Sequence, residues 1–157
     1  MEIRQARPDE WRLSRDIRLC ALADAPDAFC STLERELGFD EDAWRSRLER
    51  ARTVVAWEGD AAVGTATGKP DPHEDGGREI VAMWVDPAYR SSGVATALID
   101  ELVRWARDAG ASSVALWVAE GNDRAQRLYE KCGFTATGQR DTMRPGTDEV
   151  RMRLPLR

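Results

Sequence analysis

The chain has 157 residues, 42% hydrophobic and 32% charged, with no low-complexity tract, the balance of one globular domain large enough to bury a core. A net charge of −5 supplies neither a basic footprint for nucleic acid nor a polybasic stripe for an anionic membrane. No apolar run reaches the length of a bilayer span, MEIRQARPDEW lacks the layout of a signal peptide, and Cys20, Cys30 and Cys132 fit neither a disulfide framework nor a CxxC metal site. The expectation is a single cytoplasmic domain over residues 1–157, without a metal.

Glu2 to Ala6 reads as a short first strand. Pro8 opens a helix in which Leu13, Ile17, Cys20 and Ala21 recur at helical spacing, ending near Asp24. Residues 25–38 have weak periodicity and read as a helical lid or wall. Asp40 then caps a second helix, with Phe39 and Trp44 set to form a hydrophobic staple. Thr53 to Trp57 and Ala61 to Gly68 are β-type runs joined by the turn Glu58-Gly59-Asp60.

After the acidic loop GKPDPHEDGG, the run EIVAMWVDP predicts a central strand, and Val94, Leu98, Leu102 and Trp105 mark a helix stopped by Gly110. Ser113 to Val118 is another buried strand. Asn122 caps a helix that ends near Cys132 and Gly133, with Leu128 and Cys132 toward the core, and Phe134 to Gly138 is a strand. In the last strand Val150, Met152, Leu154 and Leu156 alternate with Arg151, Arg153 and Pro155. The expected fold class is α/β, a single mixed, mostly antiparallel twisted sheet of about seven strands with helices on both faces, in the order β-α-α-β-β-β-α-β-α-β-β.

Two segments carry chemistry. In WVDPAYRSSGVATA, Trp84 to Ala97, an apolar strand and a turn lead to RSSGVA at the start of a strong helix. Backbone N–H groups at a helix N-terminus lack intrahelical partners and sit at the positive end of the dipole, so the junction suits a pyrophosphate. Gly93 lets the backbone come close to a ligand, Ala95 keeps the next turn clear, and Ser91 or Ser92 can cap the helix or donate to an oxygen. Neither a Walker loop nor a three-glycine dinucleotide fingerprint is present. In LWVAEGNDRAQRLYEKCGF, two helical turns put Asn122 and Tyr129 on one face, with the small Ala125 between them.

Together these segments resemble the GCN5-related N-acetyltransferases. The family signature Arg/Gln-x-x-Gly-x-Gly/Ala is met by Arg90, Gly93 and Ala95, and Asn-x-x-Ala-x-x-Leu-Tyr-x-x-x-Gly-Phe by Asn122, Ala125, Leu128, Tyr129, Gly133 and Phe134. The likeness is specific over about Glu79 to Gly138. It implies acetyl-CoA as co-substrate, with pyrophosphate on the backbone of Arg90, Ser91, Ser92, Gly93, Val94 and Ala95, and with Asn122 and Ala125 beside the cofactor. Pantetheine would run between strands that splay after Met83, Trp84 and Val85, whose main chain would hold the thioester carbonyl and stabilise its oxyanion. Many members have a basic residue and a glycine where Ser91 and Ser92 stand, so this loop offers less positive charge and less backbone freedom.

By the same resemblance Tyr129 is the general acid for the departing thiolate. Glu79 stands eleven residues before Arg90, the offset at which the histone acetyltransferase branch of the family carries its general base. On the two-residue strand period Glu79, Val81, Met83 and Val85 share a face; the plain alternative is a solvated acid at a strand end. His73 reads as a surface histidine, Trp84 as core and Cys132 as a buried apolar residue. Asp24, Asp27, Glu34, Glu36, Asp71, Glu74 and Asp75 read as a solvated acidic surface, able to attract a cationic amine.

The resulting expectation is an N-acetyltransferase acting on a primary amine of a small molecule, peptide or protein by direct attack in a ternary complex. It involves no nucleic acid and no membrane, and the family's frequent homodimerisation comes with the resemblance only. The alternatives are a catalytically inactive acyl-CoA sensor or regulatory module, and a mixed α/β domain for another phosphate ligand.

Overall fold

Helix ends follow their capping residues. The side chains of Thr32, Asp40 and Asn122 accept hydrogen bonds from the N–H groups of Arg35, Ala43 and Ala125 at 3.1, 2.9 and 3.2 Å, each filling one of the donors a helix start leaves unpaired. A computed structural model describes residues 1–156 and places these caps in the order β1 (Glu2–Gln5), α1 (Trp11–Asp24), α2 (Leu33–Leu37), α3 (Glu41–Arg50), β2 (Arg52–Glu58), β3 (Ala61–Pro70), β4 (Arg78–Val85), α4 (Val94–Asp108), β5 (Ser113–Ala119), α5 (Asp123–Lys131), β6 (Thr135–Arg144) and β7 (Thr147–Pro155). The seven strands form one sheet in the order β1-β2-β3-β4-β5-β7-β6, the mixed α/β architecture expected. The short helix α2, capped by Thr32, is an addition to the expected order.

β4 and β5 pair in parallel, whereas β1 with β2, β5 with β7 and β6 with β7 are antiparallel. The chain divides into two compact units. One comprises Met1–Thr67 and Ala82–Leu98, the other Gly68–Val81 and the chain from Ile99 onward.

In the first unit Trp11, Ile17, Leu22, Trp44, Leu48 and Trp84 form the heart of an apolar cluster. The expected staple is present, with the Phe39 and Trp44 rings 5.7 Å apart. Cys20, expected on the buried stripe of α1, is exposed, because Trp11 and Leu22 set the buried face and Cys20 falls beside it. Glu36 is also unlike its expected solvated state. It is fully buried and held by Arg18 from α1 (3.0 and 3.1 Å) and Arg47 from α3 (2.9 Å), so one carboxylate ties three helices.

In the second unit the β5–β7 register sets Val114, Leu116 and Val118 opposite Leu154, Met152 and Val150, which makes one face apolar. Gly68 stands where α4 approaches β3: a Cβ there would meet the Trp105 ring at 2.6 Å and Leu102 at 3.2 Å. The opposite face is polar, but Arg151 on it is only 4% exposed. It lies against buried Asp71 and donates to the Gln139 side chain at 2.8 Å, so Arg151 is not the outward residue of the alternation and Asp71 is not the solvated acid expected.

Candidate active site

The loop after β4 belongs to the first unit. Asp86 accepts from Ala88 N–H at 2.9 Å through its side chain and donates its own N–H to the Val63 carbonyl at 2.8 Å, anchoring the turn. Ser91 (φ +67°) and Gly93 (φ +90°) then take left-handed conformations, and the Gly93 carbonyl accepts the first helical bond, from Ala97, at 3.0 Å. N–H groups in the first turn of α4 therefore point out of its end without intrahelical partners. A Cβ on Gly93 would meet nothing within 4 Å, so the residue's role here is its φ, and the space above it is open to a ligand. Ser91, Ser92 and Gly93 are exposed, Ala95 is partly covered and Val94 is buried.

The Arg90 side chain is already engaged. Its Nε donates to the Val85 carbonyl at 3.0 Å and its Nη2 to Asp24, which also accepts from the Trp84 indole at 2.9 Å. These two hydrogen bonds, that of Trp84 first, hold the Asp24 carboxyl below the usual range. Asp24 ends α1, where the helix dipole disfavours an anion, so its two donors offset a local cost. Arg90 thus shapes the loop, and Trp84 is core as expected, while Asp24 is exposed, as expected, with its carboxylate engaged by Trp84 and Arg90.

Within β4 the register with β5 consists of Arg78↔Val114 and Glu79↔Ala115, and three residues on Ala82 has φ +55°. A left-handed alanine interrupts the pleat as a bulge does. The expected common face of Glu79, Val81, Met83 and Val85 therefore does not carry through.

In the second unit Tyr129 is half-buried on α5, its ring 6.3 Å from that of Phe134, and burial, with Cys132 nearby, pushes its hydroxyl up to about 12. The phenol is protonated at neutral pH, the form an acid requires. Asn122 is the helix cap; Ala125 and Gln126 are partly covered, and Leu128 and Cys132 are half-buried rather than fully in the core.

Glu79 is not the solvated strand-end acid of the plain alternative. It is 7% exposed, and its Oε2 has no hydrogen-bond donor. Lys69 Nζ stands 3.8 Å away. Burial raises its carboxyl above the ordinary value, opposed by Lys69, His73 and Arg151 and assisted by Asp71. His73 is exposed, as expected, with its ring 5.5 Å from that of Trp117. No group of three or more His, Cys, Asp or Glu suited to a metal occurs among the described residues.

The family model described as Acetyltransferase (GNAT) family matches residues 17–134 of this chain. The chain belongs to the GNAT acetyltransferase family. Among curated relatives of this GNAT chain is a mycothiol acetyltransferase of Geodermatophilus obscurus, 36% identical over 119 residues that cover 73% of this chain and 38% of the relative. The chain spans about two fifths of the length of that relative. The GNAT fold is shared with an acetyltransferase from Streptococcus pneumoniae at TM-score 0.82, 19% identity and 98% coverage of both chains. It is shared too with yncA from Salmonella typhimurium, solved with its cofactor acetyl-CoA, at TM-score 0.81, 22% identity, and coverage of 100% of this chain and 94% of that one.

Several of these side-chain pairs escaped the sequence. Asp24 and Arg90 are 66 residues apart, and Asp71 and Arg151 are 80 apart. No local pattern pairs them. Ala82 carries no signal for a left-handed conformation, since alanine is ordinary in strands and helices alike.

Proposed function

We propose that the chain works as a single N-acetyltransferase domain that transfers the acetyl group of acetyl-CoA to a primary amine of a small molecule or peptide. The observation that carries this reading is Glu79, a buried carboxylate on the central strand of a GNAT fold whose Oε2 lacks a donor that an amine supplies. The acetyl-CoA bound by yncA supports the choice of co-substrate.

In this reading the amides from Ser91 to Ala95 bind the pyrophosphate, with Gly93 allowing close approach and Arg90 bracing the loop through Asp24 and Val85. The backbone of Met83, Trp84 and Val85 receives the thioester carbonyl. Glu79 takes a proton from the ammonium, the freed amine nitrogen bonds to the carbonyl carbon, the C–S bond breaks as Tyr129 gives its proton to the leaving sulfur, and the extra proton left on the nitrogen returns to the Tyr129 phenolate, giving a neutral amide and a thiol. No cysteine nucleophile takes part.

The test is to incubate purified protein with acetyl-CoA and an amine panel while following free CoA and acetylated product by mass spectrometry. Product formation that depends on Glu79 and Tyr129 supports the reading. Tight CoA binding with no product from any amine overturns it in favour of a sensor.

A further inference from the structure

We propose that the chain acetylates itself on Lys69, whose ε-amine stands beside Glu79 where an acceptor amine would give up its proton. The inference rests on the acetyl-transfer reading for the roles of Glu79 and Tyr129 and adds a modification site on this chain.

The β3–β4 hairpin makes the juxtaposition. Asp71 N–H donates to the Gly77 carbonyl at 3.1 Å where the loop closes, and two residues back from there on each strand Lys69 faces Glu79. Residues directly opposed in a hairpin project to the same face. Lys69 Nζ stands 3.8 Å from Glu79 Oε2, an ion pair too long to be a hydrogen bond, and Oε2 has no hydrogen-bond donor. The Lys69 side chain is 37% exposed, so its nitrogen touches the base at one end of its range and solvent at the other, on a flexible four-carbon stem.

The other cations of this face are not acceptors. Arg151 is taken by Asp71 and Gln139, and Arg153 by Glu74 at 2.8 and 3.1 Å. A guanidinium also keeps its proton at neutral pH and has no nitrogen lone pair to offer a thioester. Lysine is otherwise nearly absent: Lys131, exposed at the end of α5, is the second of two in the chain. Simple chemical acetylation follows exposure and favours Lys131, whereas transfer assisted by a base favours Lys69.

The step balances with acetyl-CoA as the donor. Glu79 takes one proton from the Lys69 ammonium, the freed nitrogen bonds to the acetyl carbonyl carbon, and the C–S bond breaks as Tyr129 gives its proton to sulfur. The extra proton on nitrogen returns to the Tyr129 phenolate, and Glu79 releases its own to solvent. The products are acetyl-Lys69, free CoA thiol and a proton. The amide carries no charge, so Glu79 loses the ion pair with Lys69, the foremost charge that opposes the effect of burial on its carboxyl.

The test incubates the purified whole chain with acetyl-CoA carrying a deuterated acetyl group and follows label at Lys69 and Lys131 by peptide mass spectrometry, beside product from a panel of external amines. Lys69 is expected to gain label faster than Lys131 by about tenfold or more, part of what a positioned base and acid supply, at a rate per chain unchanged on dilution. Glu79→Gln and, separately, Tyr129→Phe should bring Lys69 down to the rate of Lys131, with folding checked by circular dichroism. Lys131 stays the internal standard in each variant, since an unfolded chain labels both lysines alike.

Equal labelling of the two lysines in wild type, a Lys69 rate unmoved by both variants, or a rate per chain that climbs with protein concentration overturns the inference even where external amines are acetylated. Labelling of Lys69 that needs Glu79, with no product from any external amine, sustains the modification site and removes the external acceptor instead. No label at Lys69 and no external product overturns both.

Discussion

At the scale of single residues, the site is built with backbone conformations that only some side chains tolerate. Ser91 is left-handed, and a non-glycine residue there costs about 1–2 kcal/mol. Ser91→Gly is therefore expected to raise stability by about 1 kcal/mol, read as a higher Tm, with CoA binding retained. An unchanged Tm would show that the serine's own interactions outweigh the relief. Tyr129 presents the other kind of residue-scale question. Under the proposed mechanism its half-buried, protonated phenol is the proton donor, so Tyr129→Phe is expected to lower kcat by roughly a hundredfold while CoA affinity survives. Equal turnover in single-turnover assays would leave Tyr129 as packing against Phe134 alone.

At the scale of elements, caps were legible and cross-element ties were not. Asp40, Asn122, Gly110 and Gly133 end or start helices where their chemistry says they should, because a cap acts within one turn of its own backbone. The Asp24–Arg90–Trp84 network instead joins the end of α1 to β4 and to the loop before α4. Asp24→Asn keeps a partner for the indole but removes the charge that holds Arg90, so CoA affinity should fall by roughly three- to tenfold with helix content unchanged. Calorimetry with CoA decides; equal affinity in the variant would mean the loop needs only Asp86 and its own turn. The β4 strand was legible as a strand but not as a broken one, since the hydrophobic run from Ile80 to Val85 is the same whether or not Ala82 is left-handed.

For the whole molecule, pH reads the carboxylates as two opposed sets. Burial pushes Glu36 up, but the hydrogen bonds and charge of Arg18, with Arg47, outweigh it and hold the group at about 2; Arg153, then Ser113, hold Glu74 at about 2 as well. Each contributes stability that is fully present above the ordinary 4.5 and is lost as pH falls from there toward 2. The protein should lose Tm across that window, and Glu36→Gln should flatten the loss while lowering stability at pH 7 by roughly 2–4 kcal/mol. Glu79 acts in the reverse sense. Burial raises its folded pKa, so the unfolded chain releases that proton first and stability falls as pH rises through the folded value. Glu79→Gln is therefore expected to melt higher than wild type at pH 7 while losing turnover, the pattern of a residue kept for chemistry at a cost to stability. A lower Tm in that variant would mark Glu79 as structural.

The sequence by itself determined what depends on neighbours along the chain: element types and most of their ends, the glycine-bearing turn before α4, the capped helix carrying Tyr129, and through these two motifs the family. Tertiary structure decided what depends on contacts between elements: that Glu36 is buried against Arg18 and Arg47 and Asp71 against Arg151, that Arg90 is spent on Asp24, and that Glu79 is buried with Lys69 as its ion-pair partner. The physical reason is that charge and polarity in a sequence state only a side chain's capacity to bond, whereas its protonation and its partner are set by the low-dielectric surroundings that folding brings to it.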